Sequence, residues 1–244
     1  FTAAERSTVA KKILEKCDAL DGVADGLVQD TKACQKAFSL ATGVPTCSAA
    51  RDGTCLTAAQ KSVVADVYAG AKTTAGAAIY SQFWFDPGIA GDGWAAWKYV
   101  NAIALDPLAA GTVFRTPPAF ISNSLTVSID ELAASIFATN ATYTEAGMTF
   151  MTPPNAANLP TLKRRGGKMM VYHGVSDPIF SAADTASWYD QLTNTSNADA
   201  TNFARFYLVP GMNHCSGGPS ADQFDMLTLL VNWVEKGIAP DIVV

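Results

Sequence analysis

The last third of the sequence predicts an α/β fold, on three observations. Lys168-Met169-Met170-Val171-Tyr172-His173 is an apolar, strand-like run that ends at Gly174 and a turn carrying Asp177. A second run, Arg205 to Val209, ends in Pro210-Gly211-Met212-Asn213-His214, a turn carrying one of the chain's 2 histidines. A helical pattern follows each run, so the order reads strand–helix–strand–helix, the crossover unit of a parallel sheet. Two strands do not make a stable sheet alone, so the remaining strands are expected from elsewhere.

Taken in order, residues 5–16 read as a helix, with Val9, Ile13 and Leu14 on one side and Lys and Glu opposite. The loop Cys17-Asp18-Ala19-Leu20-Asp21-Gly22-Val23-Ala24-Asp25-Gly26 crowds three carboxylates among two Asp-Gly turns. Close carboxylates repel unless a cation lies between them, and calcium takes hard oxygen ligands. Asp-Gly also simply builds turns, so the spacing leaves calcium and turn-making both open. It is not the spacing of an EF-hand. Residues 57–70 predict a helix capped by Thr57, with Val63, Val64 and Val67 following. An aromatic region comes next, holding Tyr80, Phe83, Trp84, Phe85, Trp94, Trp97 and Tyr99, broken by Gly88, Gly91 and Gly93. It reads either as the wall of an aromatic-binding pocket or as the core of a small domain. Residues 106–128 read as loop-rich, 129–138 as a short helix and 151–160 as a linker. A boundary is placed there, giving regions 1–160 and 161–244, because regular strand–turn–helix periodicity begins only after it. Beyond it, a helix starting near Ser181 or Asp184 carries Trp188, Tyr189 and Leu192 on one face. A polar loop spans 193–202. The final helix shows Phe224, Leu227, Leu230, Val231 and Val234 at helical spacing and ends at Gly237.

Hydrophobic residues make up 49% of the 244 and charged residues 16%, a globular composition with a sizeable core. Net charge is −5, and no basic run extends beyond Lys163-Arg164-Arg165, which argues against nucleic acid and anionic membrane as partners. No apolar run approaches the roughly 20 residues of a membrane span. Phe1-Thr2-Ala3-Ala4-Glu5 is no signal peptide and reads as the middle of a longer chain. Of the 5 cysteines, Cys17, Cys34, Cys47 and Cys55 cluster early, without the paired spacing of a zinc site. Local disulfides Cys17–Cys34 and Cys47–Cys55 are the economical pairing and imply a secreted or periplasmic protein. Buried free thiols in a reducing compartment are the alternative. Cys215 is left over, which suggests a partner outside the visible chain.

Asp177 and His214 follow each other in the order of acid and base in an α/β-hydrolase triad, each just past a strand. The nucleophile belongs upstream in a Gly-x-Ser-x-Gly elbow, and no such elbow occurs. Gly174-Val175-Ser176-Asp177-Pro178 has only the first glycine, and Ser48 and Ser216 follow cysteines without flanking glycines. His173 closes a strand and reads as structural.

Tyr172-His173-Gly174-Val175-Ser176-Asp177-Pro178-Ile179-Phe180 and Val209-Pro210-Gly211-Met212-Asn213-His214-Cys215 resemble the tannase/feruloyl esterase family. That family also contains mono(2-hydroxyethyl) terephthalate hydrolases. The Cys17–Gly26 loop resembles the family's calcium loop, and the resemblance spans almost the whole chain. It implies an α/β-hydrolase fold with an inserted, loop-rich, calcium-binding lid domain, most of which is residues 1–160. Residues 161–244 are then the C-terminal part of the catalytic domain. Asp177 orients, and His214 serves as general base and then general acid, in hydrolysis through an acyl-enzyme. Calcium is held by the side chains of Asp18, Asp21 and Asp25 and the carbonyls of Val23 and Leu27. Phe180 matches an aromatic position that contacts the substrate's acyl ring. Cys215 pairs with a cysteine preceding the serine of a Gly-Cys-Ser-x-Gly elbow. Serine, cysteine and oxyanion-hole donors all lie before Phe1, so the chain is a fragment or the second chain of a split enzyme. The expected function is a serine carboxylesterase acting on feruloyl- or galloyl-type aromatic esters, with mono(2-hydroxyethyl) terephthalate as the alternative substrate. The rival, from another class, is a calcium-stabilised, disulfide-stapled binding domain without chemistry.

Overall fold

The structure is a computed structural model that describes residues 1–48, 50–196 and 200–243. Its N-terminal region is helical and stapled. Helix α1, Ala3–Cys17, opens on a capping box in which Thr2 accepts from the Glu5 amide and Glu5 reaches back to the Thr2 amide. Val9, Ile13 and Cys17 recur every fourth residue and are buried, the stripe that periodicity predicts. Helix α2, Thr31–Ala37, is capped by Asp30. Disulfides join Cys17 to Cys34 and Cys47 to Cys55, the local pairing expected. Helix α3, Ala58–Ala69, begins at Thr57, again with a capping box, closed by Gln60. These elements bury one core of Val9, Ile13, Val28, Leu56, Val64, Ile89 and Trp94. Each such aliphatic side chain adds about 1.5–3 kcal/mol on burial.

The middle of the chain is more helical than expected. Asp92–Ala95, a π-helical turn Ala96–Asn101, Ala102–Ala104 and Asp106–Thr112 follow one another closely. Pro107 reads as a breaker, yet it sits in the first turn of its helix, where the missing N–H costs nothing. A short helix at Ile129–Ser135 falls inside the predicted 129–138.

Strand β1, Met169–Gly174, pairs in parallel with β2, Ala204–Val209, in the register Met169↔Ala204 through Gly174↔Val209. Among the described residues these are the two strands of the sheet. Helix α4, Ala182–Thr195, connects them and is capped by Ser181. Leu192 packs on Ala200, Phe203 and Ala204, with Trp188 and Tyr189 against them. Part of the predicted polar loop 193–202, residues 197–199, lies outside the described residues. Helix α5, Met226–Lys236, starts later than the pattern suggested, because Asp225 caps it by accepting from the Thr228 amide at 2.9 Å. Phe224, expected on the helix face, instead meets Tyr172 edge-on at 5.0 Å. Leu227, Val231, Val234 and Ile238 remain exposed on this flank. Among the described residues no helix is long and apolar enough to cross a membrane.

Two features bring the strand ends together. The Val175 amide donates to Val209 O at 3.0 Å and the Ser176 amide to Met212 O at 3.1 Å. Gly174 lies so close to the Met212–Asn213 backbone that any side chain there would collide with it. Trp84 joins Val175 and Ala182 in a further small core, which seats the N-terminal region against the end of β1.

Candidate active site

The turn after β1 buries Asp177, and the turn after β2 carries His214. His214 Nδ1 lies 3.0 Å from Asp177 Oδ2. The ring nitrogen facing a carboxylate carries the proton, so the neutral imidazole presents Nε2 as its basic lone pair. Among the described residues Nε2 has no hydrogen-bond partner, and the side chain is 30% exposed, open enough to receive a reactant. The Asp177 Oδ1 atom accepts from the amides of Ile179 (2.8 Å) and Phe180 (3.0 Å), which fixes the plane of the carboxylate. Burial pushes this carboxyl up, but hydrogen bonds from His173, His214 and those two amides outweigh it and hold it below the usual range. Asp177 is therefore anionic at neutral pH.

His173 does more than close a strand. Its Nε2 lies 3.0 Å from Phe180 O and 3.4 Å from Asp177 Oδ2, two acceptors, so Nε2 carries the proton. Its Nδ1 then accepts from the Thr185 hydroxyl at 2.7 Å. Both histidines thus donate toward one carboxylate. Sequence reasoning missed this because His173 points along the sheet edge to a residue four positions on, a contact only the turn geometry creates.

Two aromatic rings flank His214. Phe180 lies 5.6 Å from it, and Trp97 meets it edge-on at 5.8 Å. The aromatic region therefore divides: Trp94 is core, whereas Trp97, two positions into the π-helical turn, reaches the site. π-Turns recur at functional sites because the extra residue re-aims a side chain. Next to Trp97, Lys98 places Nζ 3.4 Å over the Phe83 ring, and burial lowers its ammonium to about 8 while Asp177 and Asp106 pull the other way. Cys215 is exposed and unpaired, with a left-handed backbone at φ 64°. That conformation is uncommon for a non-glycine residue and marks a constrained position.

The acidic loop is built as a set of turns. Asp18 Oδ1 accepts from the amides of Asp25 (3.0 Å) and Gly26 (2.9 Å). Asp21 accepts from Val23 (2.9 Å) and Gln29 (3.3 Å), and Asp25 from Leu27 (3.1 Å). The donors are hard oxygens suited in kind to calcium. Their arrangement is not that of a cage: among the described residues no group of three or more His, Cys, Asp and Glu is placed to hold a metal ion.

A buried carboxylate and a histidine are hydrogen-bonded at the adjacent C-terminal ends of two parallel strands, in an α/β-hydrolase-like fold. The chain belongs to the tannase and feruloyl esterase family, whose model matches residues 1–244. It is 37% identical over 271 aligned positions to a mono(2-hydroxyethyl) terephthalate hydrolase of Piscinibacter sakaiensis, covering 99% of this chain and 45% of that enzyme. It is 27% identical over 270 positions to a probable feruloyl esterase B-1 of Neosartorya fischeri, covering 99% of this chain and 46% of that one. The fold is similar to crystallised feruloyl esterase B from Aspergillus oryzae, with TM-score 0.71 and 24% identity, over 98% of this chain and 48% of that one. Tannin acyl hydrolase from Aspergillus niger is similar with TM-score 0.64 and 20% identity, over 98% of this chain and 47% of that one. The chain thus spans about half the length of the relatives it matches.

Proposed function

We propose that this chain supplies the acid and the base of a serine carboxylesterase acting on aromatic-acid esters. The single observation that carries the reading is the Asp177–His214 contact at 3.0 Å with His214 Nε2 open between Trp97 and Phe180. In the proposed reaction His214 Nε2 takes the proton of a serine hydroxyl as its oxygen attacks the ester carbonyl. The imidazolium that forms is stabilised by the Asp177 carboxylate. His214 then gives the proton to the departing alkoxide, leaving an acyl-enzyme, and a water repeats the sequence to release the acid. The serine and the oxyanion-hole donors come from a segment upstream of Phe1, in a Gly-Cys-Ser-x-Gly elbow whose cysteine bonds to Cys215. The strained backbone at Cys215 and the exposed apolar flank of β1 and α5 are consistent with a partner segment at both places.

Residues 1–160 are proposed as the lid, with Phe180 and Trp97 as walls for a planar acyl group. Feruloyl- and galloyl-type esters are the proposed substrates. Mono(2-hydroxyethyl) terephthalate is the alternative, favoured by the name of the 37%-identical relative. A structural calcium at Asp18, Asp21 and Asp25, with the Val23 and Leu27 carbonyls, is proposed on donor chemistry alone. Each carboxylate has lone pairs beyond those that accept the amides, so both uses draw on the same side chains. The two disulfides support a secreted or periplasmic location.

The test is hydrolysis of methyl ferulate by the esterase assembled with its nucleophile segment. Asp177→Asn and His214→Ala are each expected to lower kcat by about 10³- to 10⁴-fold. Losses smaller than tenfold for both would sink the reading.

A further inference from the structure

We infer that Asp86 is a positioning residue for the Asp177–His214 pair, its buried carboxylate tying the acid-bearing turn and the histidine-bearing turn to the core of the N-terminal region. The inference rests on the reading of that pair as the esterase's acid and base. Asp86 is 2% exposed, and among the described residues no Lys, Arg or His pairs with it. Three hydrogen bonds satisfy it instead. Oδ1 accepts from the Ser176 hydroxyl and from the Gly88 amide at 2.9 Å, and Oδ2 accepts from the Gly211 amide at 3.1 Å. Ser176 directly precedes Asp177, and Gly211 lies three residues before His214. One carboxylate therefore grips both turns, across 90 and 125 residues of sequence.

A helix cap alone does not account for this. Asp86 does cap the short turn Pro87–Ala90, but that uses only the Gly88 amide. The second oxygen and the serine bond reach out of the turn. Gly88 is part of the same fit: a Cβ there would collide with the Ser176 side chain, so the missing side chain lets the two segments meet. The far end of the clamp is rigid. Ile89 is fully buried in the disulfide-stapled core, and the Phe85 amide donates to Gln35 Oε1 at 2.8 Å. Burial pushes the Asp86 carboxyl up, with its three hydrogen bonds pulling the other way. A carboxyl group buried this deeply needs its hydrogen-bond partners. The N-terminal region is thereby more than a cover over substrate. It sets the spacing of the two turns from behind.

The chemistry offers a selective test. An asparagine at this position has nearly the same shape but one acceptor oxygen, so either the Gly211 amide or the Gly88 amide must lose its acceptor, while the Ser176 hydroxyl can turn to accept from the new amide. In the assembled esterase Asp86→Asn is expected to lower kcat about 10- to 100-fold with KM within about twofold, since small misplacements of catalytic groups act on turnover. The hydrogen-bonded Nδ1 proton signal of His214 is expected to broaden or vanish in the NMR spectrum. Ile13→Val, in the same core but touching neither turn, controls for lost stability and is expected to keep kcat. Should D86N not fold, Ser176→Ala decides, because it removes one bond and leaves no new unpaired donor; a fall in kcat of about 3- to 10-fold is expected. If Asp177→Asn and His214→Ala abolish turnover while D86N, or S176A in its place, stays within twofold of wild type, the clamp is refuted and the esterase reading stands. If the two pair variants themselves retain turnover, the esterase reading fails, and the clamp falls with it.

Discussion

Replacing Gly174 by Ala isolates the close approach on which the site depends. Gly174 is absent from the residues with positive φ, so alanine brings no backbone penalty and the effect is steric. A Cβ built there falls 2.8 Å from the Asn213 carbonyl oxygen and from the Met212 carbonyl carbon, and nearer still to the Met212 oxygen. Ordinary contact needs about 3.5 Å. The colliding atoms are backbone and cannot rotate away. Strand β1 is held by its pairing with β2, so the 212–214 turn must retreat by about 1 Å. Overpacking of this kind costs about 1–3 kcal/mol. For a chain of this size that is a fall in Tm of about 2–12 °C. The same retreat stretches the 3.0 Å contact between His214 and Asp177 beyond hydrogen-bonding range. In the assembled esterase kcat is then expected to fall about 100-fold with little change in KM. Thermal unfolding, followed by hydrolysis kinetics on methyl ferulate, measures both. G174A with unchanged Tm and unchanged kcat would refute the packing of the two turns described above.

Further outcomes are expected elsewhere in the molecule. Glu5 is held at about 2 by its hydrogen bonds with Arg51 first, against burial, helped by Thr2 and Gln60. A depressed carboxyl stabilises the fold above the unfolded value and loses that stabilisation as pH falls through the folded one. Urea midpoints should therefore decline between about pH 4.5 and 2, and less so in Arg51→Ala. By the same linkage the effect of Arg51→Ala should be largest at pH 7 and fade toward pH 2, and it should be modest throughout because Arg51 is half exposed. The double variant Cys17→Ser/Cys34→Ser should lose about 3 kcal/mol, given a 17-residue separation, as read by urea unfolding. If calcium binds the acidic loop, EDTA lowers Tm and excess calcium restores it, worth about 2.7 kcal/mol at a hundredfold excess over Kd. An identical Tm with and without EDTA, in wild type and in Asp21→Asn, would rule calcium out of the loop.

What could be read from sequence was local. β1 and β2 were visible because apolar β-formers run straight into Gly-bearing turns, and the same turns place Asp177 and His214. Thr57 announced its helix as a cap, and of Ser181 and Asp184, both legible as the start of the next, Ser181 is the cap. The Cys17–Cys34 and Cys47–Cys55 bonds followed from proximity along the chain. What escaped was non-local. Nothing near Asp86 in the sequence points to partners 90 and 125 residues away. Helical spacing cannot separate Trp94 from Trp97 when the turn between them is π-helical. The contact of His173 with Asp177 is not legible in the sequence, because it exists only in a turn that folds Asp177 back onto it. The acidic loop was ambiguous for a physical reason: carboxylates that accept backbone amides and carboxylates that hold a cation need the same residues.

On the proposed reading, Asp177 and His214 are the acid and base of a serine esterase whose nucleophile lies on another segment. A non-reducing peptide map of the protein as isolated, read by mass spectrometry at Cys215, tests it most directly. The expected result is Cys215 cross-linked to a peptide containing Gly-Cys-Ser-x-Gly, in material that hydrolyses aromatic esters. A free Cys215 thiol, with no such peptide and no hydrolysis, would contradict it.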